Sequence, residues 1–418
     1  MHANQFFLGK WAIPFASMIG LVAGFGPAVI FVFSILMQPI GQEFGWDRGE
    51  TSALLTVANL VTSLSLPLVG KAIDRWGARR VMIPGIVLFA GTMAACSLAP
   101  PSLLFFGLLY ACMGVAGTVQ TPLPYAKTIT TWFDEHRGLA LGIAMSGVGI
   151  GGAVLVQMTQ YFVVNWGWRV AYLGIAAIII LIALPIAVLF IREPDRGDTQ
   201  GCKVASASHD DMTVRQAMRS SRFWSIAIAA FATSAAVLGP IVHLVPLLSD
   251  RGLSPAAGAT ALSAASIAAV FGRLLTGFLL DCFRGPAVGV VVFSMPLIGV
   301  FLLGTDFSGA TAMVAAVLVG LGLGAEVDLL AYFVSRYFGL KAFGGLYSWI
   351  LLAFGIGSAI GPLAMGVGFA WLHSYEPLLI AAAALLALSC LLIARLGPYA
   401  FQAAGASPGS GSKACQMA

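Results

Sequence analysis

The stretch GKAIDRWGARR, residues 70–80, decides the fold because it joins two apolar runs, 52–70 and 81–99. Each run is close to the roughly 20 residues that a helix needs to cross the hydrocarbon of a bilayer. A related stretch, GFLLDCFRG, residues 277–285, follows a later apolar run. In both copies a glycine precedes an aspartate by four residues. The sequence therefore predicts two repeated membrane units.

The composition excludes a soluble protein. The chain of 418 residues is 59% hydrophobic and 9% charged, with a mean hydropathy of +0.93. Soluble chains carry about 25% charged residues. Long apolar runs, rather than alternating residues, also exclude an outer-membrane barrel. The fold class predicted is an all-α polytopic membrane protein.

The apolar runs number twelve and fall into two sets of six. They cover 12–37, 52–70, 81–99, 102–130, 138–163, 168–191, 224–248, 256–280, 286–304, 309–334, 343–371 and 377–394. The first run is too long for the core of a signal peptide, so we predict that it is retained as a span. The predicted domains are an N-terminal half 1–191, a linker 192–223, a C-terminal half 224–396 and a flexible tail 397–418. Two repeated halves of six helices are typical of transporters with a site at the midplane between the halves.

Lysine and arginine indicate the orientation. If the N-terminus is cytoplasmic, seventeen of these residues lie on the inner side and three on the outer side. By the positive-inside rule, both termini and the linker are cytoplasmic. The net charge of +5 is thus an orientation signal and does not indicate nucleic-acid binding. The chain lacks an N-glycosylation sequon, which favours a bacterial source. We therefore expect a multi-pass protein of the plasma membrane, which in bacteria is the inner membrane.

No catalytic or metal-binding pattern is visible. The six cysteines have no paired spacing, and most lie in apolar runs. We find neither a nucleophile with a base nor a set of metal ligands. The sequence predicts no enzyme activity, no cofactor and no metal.

The stretch at 70–80 resembles the loop between spans 2 and 3 of the major facilitator superfamily, and 277–285 resembles its second copy. The resemblance implies that fold, a glycine that lets helices pack closely, and charges that lock a cytoplasmic gate. The alternative is a solvated basic loop. The gate residues predicted are Gly70, Asp74, Arg75, Gly77, Arg79, Arg80, Gly277 and Asp281.

Three further stretches resemble the monocarboxylate porters and oxalate–formate carriers within this superfamily. They are WFDEHRGLALGIAMSGVGIGGAV at 132–154, HLVPLLSDRGLSPAAGATALS at 243–263 and GRLLTGFLLD at 272–281. The resemblance implies that Arg273 binds a substrate carboxylate.

Arg273 is also unusual on physical grounds. It lies eight residues before Asp281, which places it about 12 Å inside span 8. A charge facing lipid there costs at least about 2.5 kcal/mol, so we expect it to face a cavity or a carboxylate. A guanidinium binds a carboxylate with two parallel hydrogen bonds. The alternative is an internal salt bridge with Glu326 or Asp328, and the two states can alternate.

The sequence departs from its relatives at two positions that bear on the substrate. Eukaryotic monocarboxylate carriers have an aspartate where Ala269 stands, and the oxalate carrier has a lysine near the position of Ile350. A single basic residue favours a substrate with one carboxylate.

Two acids and a lysine lie inside spans 10 and 4. Glu326 and Asp328 point about 200° apart on a helix, so the sequence leaves open which one faces the cavity. Either could carry a coupled proton. We expect Lys127 to pair with one of them across the halves when the inner gate closes; a static bridge is the alternative.

The remaining polar and aromatic candidates are weaker. His243 is a candidate contact for substrate or proton, and a histidine satisfied between helices is the alternative. Gln120 and Tyr125 are candidate polar contacts, and Trp349 and Tyr347 candidate apolar ones, although helix packing explains these too. Close helix packing is predicted at the glycines 142, 147, 149, 151, 152, 355, 357 and 361.

The sequence therefore predicts a secondary active transporter. It would move an organic monocarboxylate, coupled to protons, by rocking one half against the other, and would work in the bilayer as a monomer. The alternative within transporters is efflux of amphipathic compounds or drugs, with Arg273 in a structural ion pair. A membrane sensor or enzyme is a third class, which no motif supports. Transport direction, and symport against exchange, stay open.

Overall fold

The computed structural model describes residues 2–133, 137–191, 214–305, 309–338 and 343–397. The described residues are 90% helical, and none of them forms a strand. Twelve helices are long and apolar enough to cross a membrane, which confirms the predicted fold class. The linker residues 192–213 and the tail residues 398–418 lie outside the described residues.

The N-terminal half contains spans 1 to 6, three of which change helix type on the way. Their bounds are His2–Val22, a π-helix Gly26–Phe31 and Val32–Phe44 for span 1; Arg48–Trp76 for span 2; Ala78–Cys96 for span 3; Leu103–Gly117, a 3₁₀ turn Thr118–Gln120 and Pro122–Trp132 for span 4; Arg137–Trp166 for span 5; and Trp168–Ile178, a π-helix Ile179–Ala183 and Leu184–Leu189 for span 6.

The C-terminal half contains spans 7 to 12 and is more regular. A short helix, Val214–Ala217, precedes it. The bounds are Ser221–Val242 and Leu244–Asp250 for span 7, Pro255–Cys282 for span 8, Gly285–Leu303 for span 9, Gly309–Phe338 for span 10, Phe343–Leu372 for span 11, and Glu376–Ala394 for span 12.

Glycines with positive φ make the tight connections between spans. Span 1 ends at Phe44, seven residues after the predicted end at residue 37. Gly45, which follows it, has a φ of 72°. Gly77 is the single residue between spans 2 and 3 and has a φ of 86°. A residue with a Cβ is strained in this region, which explains Gly77 in the stretch 70–80.

Span 4 is broken in its middle, where the sequence predicted a continuous helix. Thr121 has an extended backbone, with a ψ of 167°, because the residue before a proline is driven out of the helical region. The break packs on span 1, since a Cβ built on Gly24 would lie 3.0 Å from the Gln120 carbonyl oxygen. Irregular backbone at membrane depth is tolerated where protein buries it, as here.

The two halves are in contact on one side of the membrane. We call the side that carries the linker the linker side and the opposite side the distal side. On the distal side Thr56 of span 2 donates a hydrogen bond to the Ala359 carbonyl of span 11, at 2.9 Å. Gln157 of span 5 likewise donates to Ser263 of span 8, at 3.0 Å. Spans 2, 5, 8 and 11 thus join the halves.

The halves separate towards the linker side. Gly149 of span 5 is packed tightly against Ser266 and Val270 of span 8. Gly142 lies two turns away on the same face of span 5, because residues seven apart share a helix face. A Cβ built on Gly142 would meet no described residue within 4 Å. A gap therefore opens between spans 5 and 8 on the linker side.

Candidate functional site

Arg273 lies at the closed end of this gap. It is one turn beyond Val270 towards the linker side, and it shares a face of span 8 with Ser266, seven residues earlier. Ser266 contacts Gly149 and Gly152 of span 5. Arg273 therefore faces the N-terminal half at the level where contact between the halves ends.

The Arg273 side chain is paired with Asp328 of span 10. Its Nε lies 2.9 Å from the Asp328 Oδ2 and donates to the Gly324 carbonyl at 3.2 Å. The side chains of Arg273 and Asp328 are 24% and 46% exposed. Among the described residues, the hydrogen bonds of Arg273 all use Nε, which leaves Nη1 and Nη2 available to a ligand. This pair is one of the two salt bridges that the sequence left open.

The two acids of span 10 lie on different faces. Asp328 follows Gly324 by one turn, and Gly324 contacts span 8 at Ala269. Glu326 follows Gly322 by one turn, and Gly322 contacts span 9 at Pro296. Asp328 is thus the acid beside the gap. Glu326 is directed into the C-terminal half.

Glu326 is a buried acid without a hydrogen-bond partner among the described residues. Its residue is 1% exposed, and neither carboxyl oxygen is bonded. Glu326 is therefore not accessible from the gap in this arrangement of the halves.

Tyr347 of span 11 completes the environment of the ion pair. Its hydroxyl lies 3.4 Å from the Val327 carbonyl oxygen, and it interacts electrostatically with both Asp328 and Arg273. Trp349 lies elsewhere: it is half exposed and shares a helix face with Ile360, eleven residues later, away from the Tyr347 face.

Three other predicted contacts lie in the N-terminal half. Gln120 and Tyr125 are fully buried at the break in span 4, where the Tyr125 hydroxyl donates to the Gln120 Oε1 at 2.8 Å. They pack in the half rather than on the gap. Lys127 is partly buried, one turn from the linker-side end of span 4. Its pairing across the halves stays a prediction.

His243 lies on the distal side, at the break in span 7. The residue is fully buried, and both ring nitrogens are within hydrogen-bonding distance of partners on other spans. One of these partners, Tyr375, is also contacted by Arg48. The sequence did not point to Arg48, Asp250 or Ser52 as functional residues. Arg48 could have been noticed as one of the three basic residues on the predicted outer side.

The gate motif is only partly described. Arg75, Arg79 and Arg80 are exposed at the linker side. The side chains of Asp74 and Asp281 lie outside the described residues. A Cβ on Gly70 would be 3.9 Å from Leu123, and one on Gly277 would meet no described residue within 4 Å, so the close packing expected at the motif glycines stays a prediction.

The packing predicted for the other glycines is largely confirmed. Seven of the eight lie against another span, and Gly142 is the exception. Among the described residues, no group of three or more His, Cys, Asp or Glu could hold a metal ion.

Comparison with known proteins places this geometry in a family. The model of the Major Facilitator Superfamily matches residues 17–362 and 224–411. The chain is 25% identical to the uncharacterized MFS-type transporter YcxA of Bacillus subtilis, covering 88% of this chain and 90% of the other. It is 24% identical to monocarboxylate transporter 11 of Mus musculus, covering 85% and 80%. It superposes on the crystal structure of a D-xylose–proton symporter with a TM-score of 0.73 at 15% identity, covering 93% and 98%.

Proposed function

Because the chain belongs to the Major Facilitator Superfamily of secondary transporters, we propose that it carries an organic monocarboxylate across the membrane together with a proton. The observation that carries this proposal is the Arg273–Asp328 pair at the closed end of the gap. A guanidinium whose Nη1 and Nη2 are unused is a ready site for one carboxylate.

Charge balance supports the coupling to a proton. In the structure Arg273 and Asp328 neutralise each other. A substrate carboxylate entering beside Arg273 would leave two negative charges facing one positive charge, which is unfavourable because the two carboxylates repel each other. A proton on Asp328 restores balance. Substrate and proton therefore bind together, one for one, and leave together.

Asp328 is a better proton carrier than Glu326 in this account. Asp328 is half exposed beside the gap, so water can reach it. Glu326 is buried on the opposite face of span 10, against span 9. A carrier that exchanges its proton in each cycle needs access to solvent.

The transport step itself requires the gap to close. In a rocker-switch transporter the halves rotate about the central site, so one side closes as the other opens. Lys127 would then approach Asp328 from span 4 and compensate its charge after the proton has left. By the positive-inside rule we expect the linker side to be cytoplasmic and the membrane to be a bacterial inner membrane, and the gap would then open to the cytoplasm. One chain suffices for this cycle, so we expect a monomer.

The alternative function is efflux of amphipathic compounds, and the ion pair of Arg273 with Asp328 favours it. If Arg273 and Asp328 only satisfy each other, neither contacts the substrate. Ligand chemistry distinguishes the two functions, because the first requires a carboxylate and the second does not.

The experiment is a thermal-shift screen of the purified protein and Arg273→Ala. Each acid is tested beside its own amide, and lipophilic cations are tested in parallel. We expect an acid, but not its amide, to raise the Tm of the wild type, and Arg273→Ala to abolish the shift. Arg284→Ala is the matched control, because Arg284 is an exposed arginine on the linker side. Shifts by cations or amides that survive in Arg273→Ala would contradict carboxylate recognition and favour efflux instead.

A further inference from the structure

A chain of hydrogen bonds joins the two halves on the distal side, far from Arg273. Arg48, the first residue of span 2, binds Asp250 at the end of span 7, with Nη2 2.7 Å from Oδ1. It also donates from Nη1 to the Tyr375 hydroxyl at 2.7 Å. The guanidinium lies 4.0 Å from the centre of the Phe369 ring. Four elements of the structure thus meet at this one arginine.

His243 continues this chain from Tyr375 into the protein. Its Nδ1 lies 2.9 Å from the Tyr375 hydroxyl. Its Nε2 lies 3.0 Å from the Pro362 carbonyl oxygen of span 11 and 3.1 Å from the Ser52 hydroxyl of span 2. The ring therefore contacts both halves, because Ser52 belongs to the N-terminal half and the other two partners to the C-terminal half.

The partners determine the protonation of the ring. A carbonyl oxygen only accepts, so Nε2 carries the proton that is donated to Pro362. Ser52 donates its own proton to the Arg48 carbonyl at 2.6 Å and accepts from the ring. Burial raises the pKa of the Tyr375 hydroxyl, which keeps its proton. Since Tyr375 already accepts from Arg48, it donates to Nδ1, and the ring is neutral.

A second proton on the ring disrupts this arrangement. Nδ1–H could no longer accept from Tyr375, and the Tyr375 O–H would have to turn away from the ring and lose its acceptor. The imidazolium would also lie next to the Arg48 guanidinium, with Asp250 as the single acid of the network. Span 11 contributes only the Pro362 carbonyl and the Phe369 ring to the network, and neither is acidic. Glu50 is engaged with the backbone of Asp47.

We propose that His243 is the gating residue of the distal side, and that its protonation releases the contact between the halves and opens the transporter to that side. Arg48, Ser52, His243, Asp250 and Tyr375 form what we call the distal latch. A proton arriving from the distal compartment would open the side from which it comes. This inference needs the chain to be an alternating-access transporter, but it is independent of the substrate.

The test measures opening of the distal side directly by pulsed electron paramagnetic resonance. Spin labels are attached to cysteines introduced by Leu98→Cys and Ala256→Cys, and the native cysteines are replaced. The two positions are exposed on the distal side, one in each half. No substrate is present. The pH is lowered from about 8 to about 4.5, across the range in which histidine titrates. We expect the ratio of the population at the long distance to the population at the short distance to rise about tenfold or more, because the ring binds a second proton more readily in the open state than beside the Arg48 guanidinium.

Variants assign the effect to His243. His243→Asn keeps a neutral polar side chain that cannot become charged, and we expect it to abolish the rise. His373→Asn is the matched control: His373 is exposed on the same side and has a φ of 50°, a conformation that asparagine tolerates. It should retain the rise. An unchanged rise in His243→Asn, its loss in His373→Asn, or no rise in the wild type would overturn the proposal.

Tyr375→Phe is a second variant, which leaves the ring in place and removes only the hydroxyl. We expect it to raise the long-to-short ratio at pH about 8 between about two- and tenfold, since hydrogen bonds across the halves are lost. A ratio equal to that of the wild type would show that the chain of hydrogen bonds does not hold the halves together.

Discussion

The Arg273 guanidinium and the Asp328 carboxylate lie 2.9 Å apart where contact between the two halves ends. Both side chains come from the C-terminal half, from spans 8 and 10, yet Arg273 lies on the face of span 8 that contacts span 5. The pair is therefore placed to sense whatever enters the gap. Because each charge neutralises the other, spans 8 and 10 can each hold a charged side chain inside the membrane.

Replacing Arg273 with lysine keeps the charge and removes the fork of donors. We expect the affinity for a monocarboxylate to fall about 10- to 100-fold, because a bidentate charged contact is worth about 1.5–3 kcal/mol. Binding calorimetry against the acid found in the thermal-shift screen measures this. Arg336→Lys on the linker-side end of span 10 is the control and should bind as the wild type does. Equal affinity in Arg273→Lys would exclude bidentate recognition.

Asp328→Asn should separate transport from proton coupling. The amide oxygen can still accept from the Arg273 Nε, but the side chain no longer takes a proton. We expect exchange of labelled for unlabelled substrate to persist while uptake driven by a proton gradient is lost. Glu326→Gln is the matched control, and there we expect uptake driven by a proton gradient to remain. The reverse assignment would make Glu326 the proton carrier.

Gly142→Leu should block the cycle without unfolding the protein. The new side chain has room in this structure, since nothing lies within 4 Å of a Cβ at that position. It would obstruct closing of the linker side, because span 5 has to approach span 8 there. We expect transport to fall at least tenfold while substrate binding persists. Gly107→Leu, at an equally open position of span 4, should transport normally. Normal transport by Gly142→Leu would mean that the gap does not close at this level.

Gly324→Ala should weaken both stability and the ion pair. A Cβ there would overlap the Ala269 carbonyl and force spans 8 and 10 apart. Overpacking of this kind costs about 1–3 kcal/mol, so we expect a lower Tm and weaker carboxylate binding. Gly91→Ala is the control, because a Cβ on Gly91 would meet nothing within 4 Å. An unchanged Tm in Gly324→Ala would show that the two spans are less tightly packed than described.

The sequence predicted the spans because their length and apolarity are local properties. The cost of burying a charge likewise predicted that Arg273 avoids lipid. The sequence could not decide between Glu326 and Asp328, since that depends on how span 10 is rotated against its neighbours. The break in span 4 was predictable from Pro122 but was missed, because hydrophobicity alone defined the run.

The distal latch was harder to predict. His243 is contacted by Ser52, which lies 191 residues away, and by Tyr375, which lies 132 residues away. No local pattern joins residues so distant in the chain. The packing of span 11 against both span 7 and span 2 brings them together, through Gly361 on one side and Gly366 on the other.

The most direct test of the central claim is uptake of a radiolabelled monocarboxylate into proteoliposomes with an imposed proton gradient. We expect the wild type to accumulate substrate against its concentration gradient, and a protonophore to abolish this accumulation. Arg273→Ala and Asp328→Asn should show no accumulation. Accumulation that survives Arg273→Ala, or that ignores the protonophore in the wild type, would contradict the central claim.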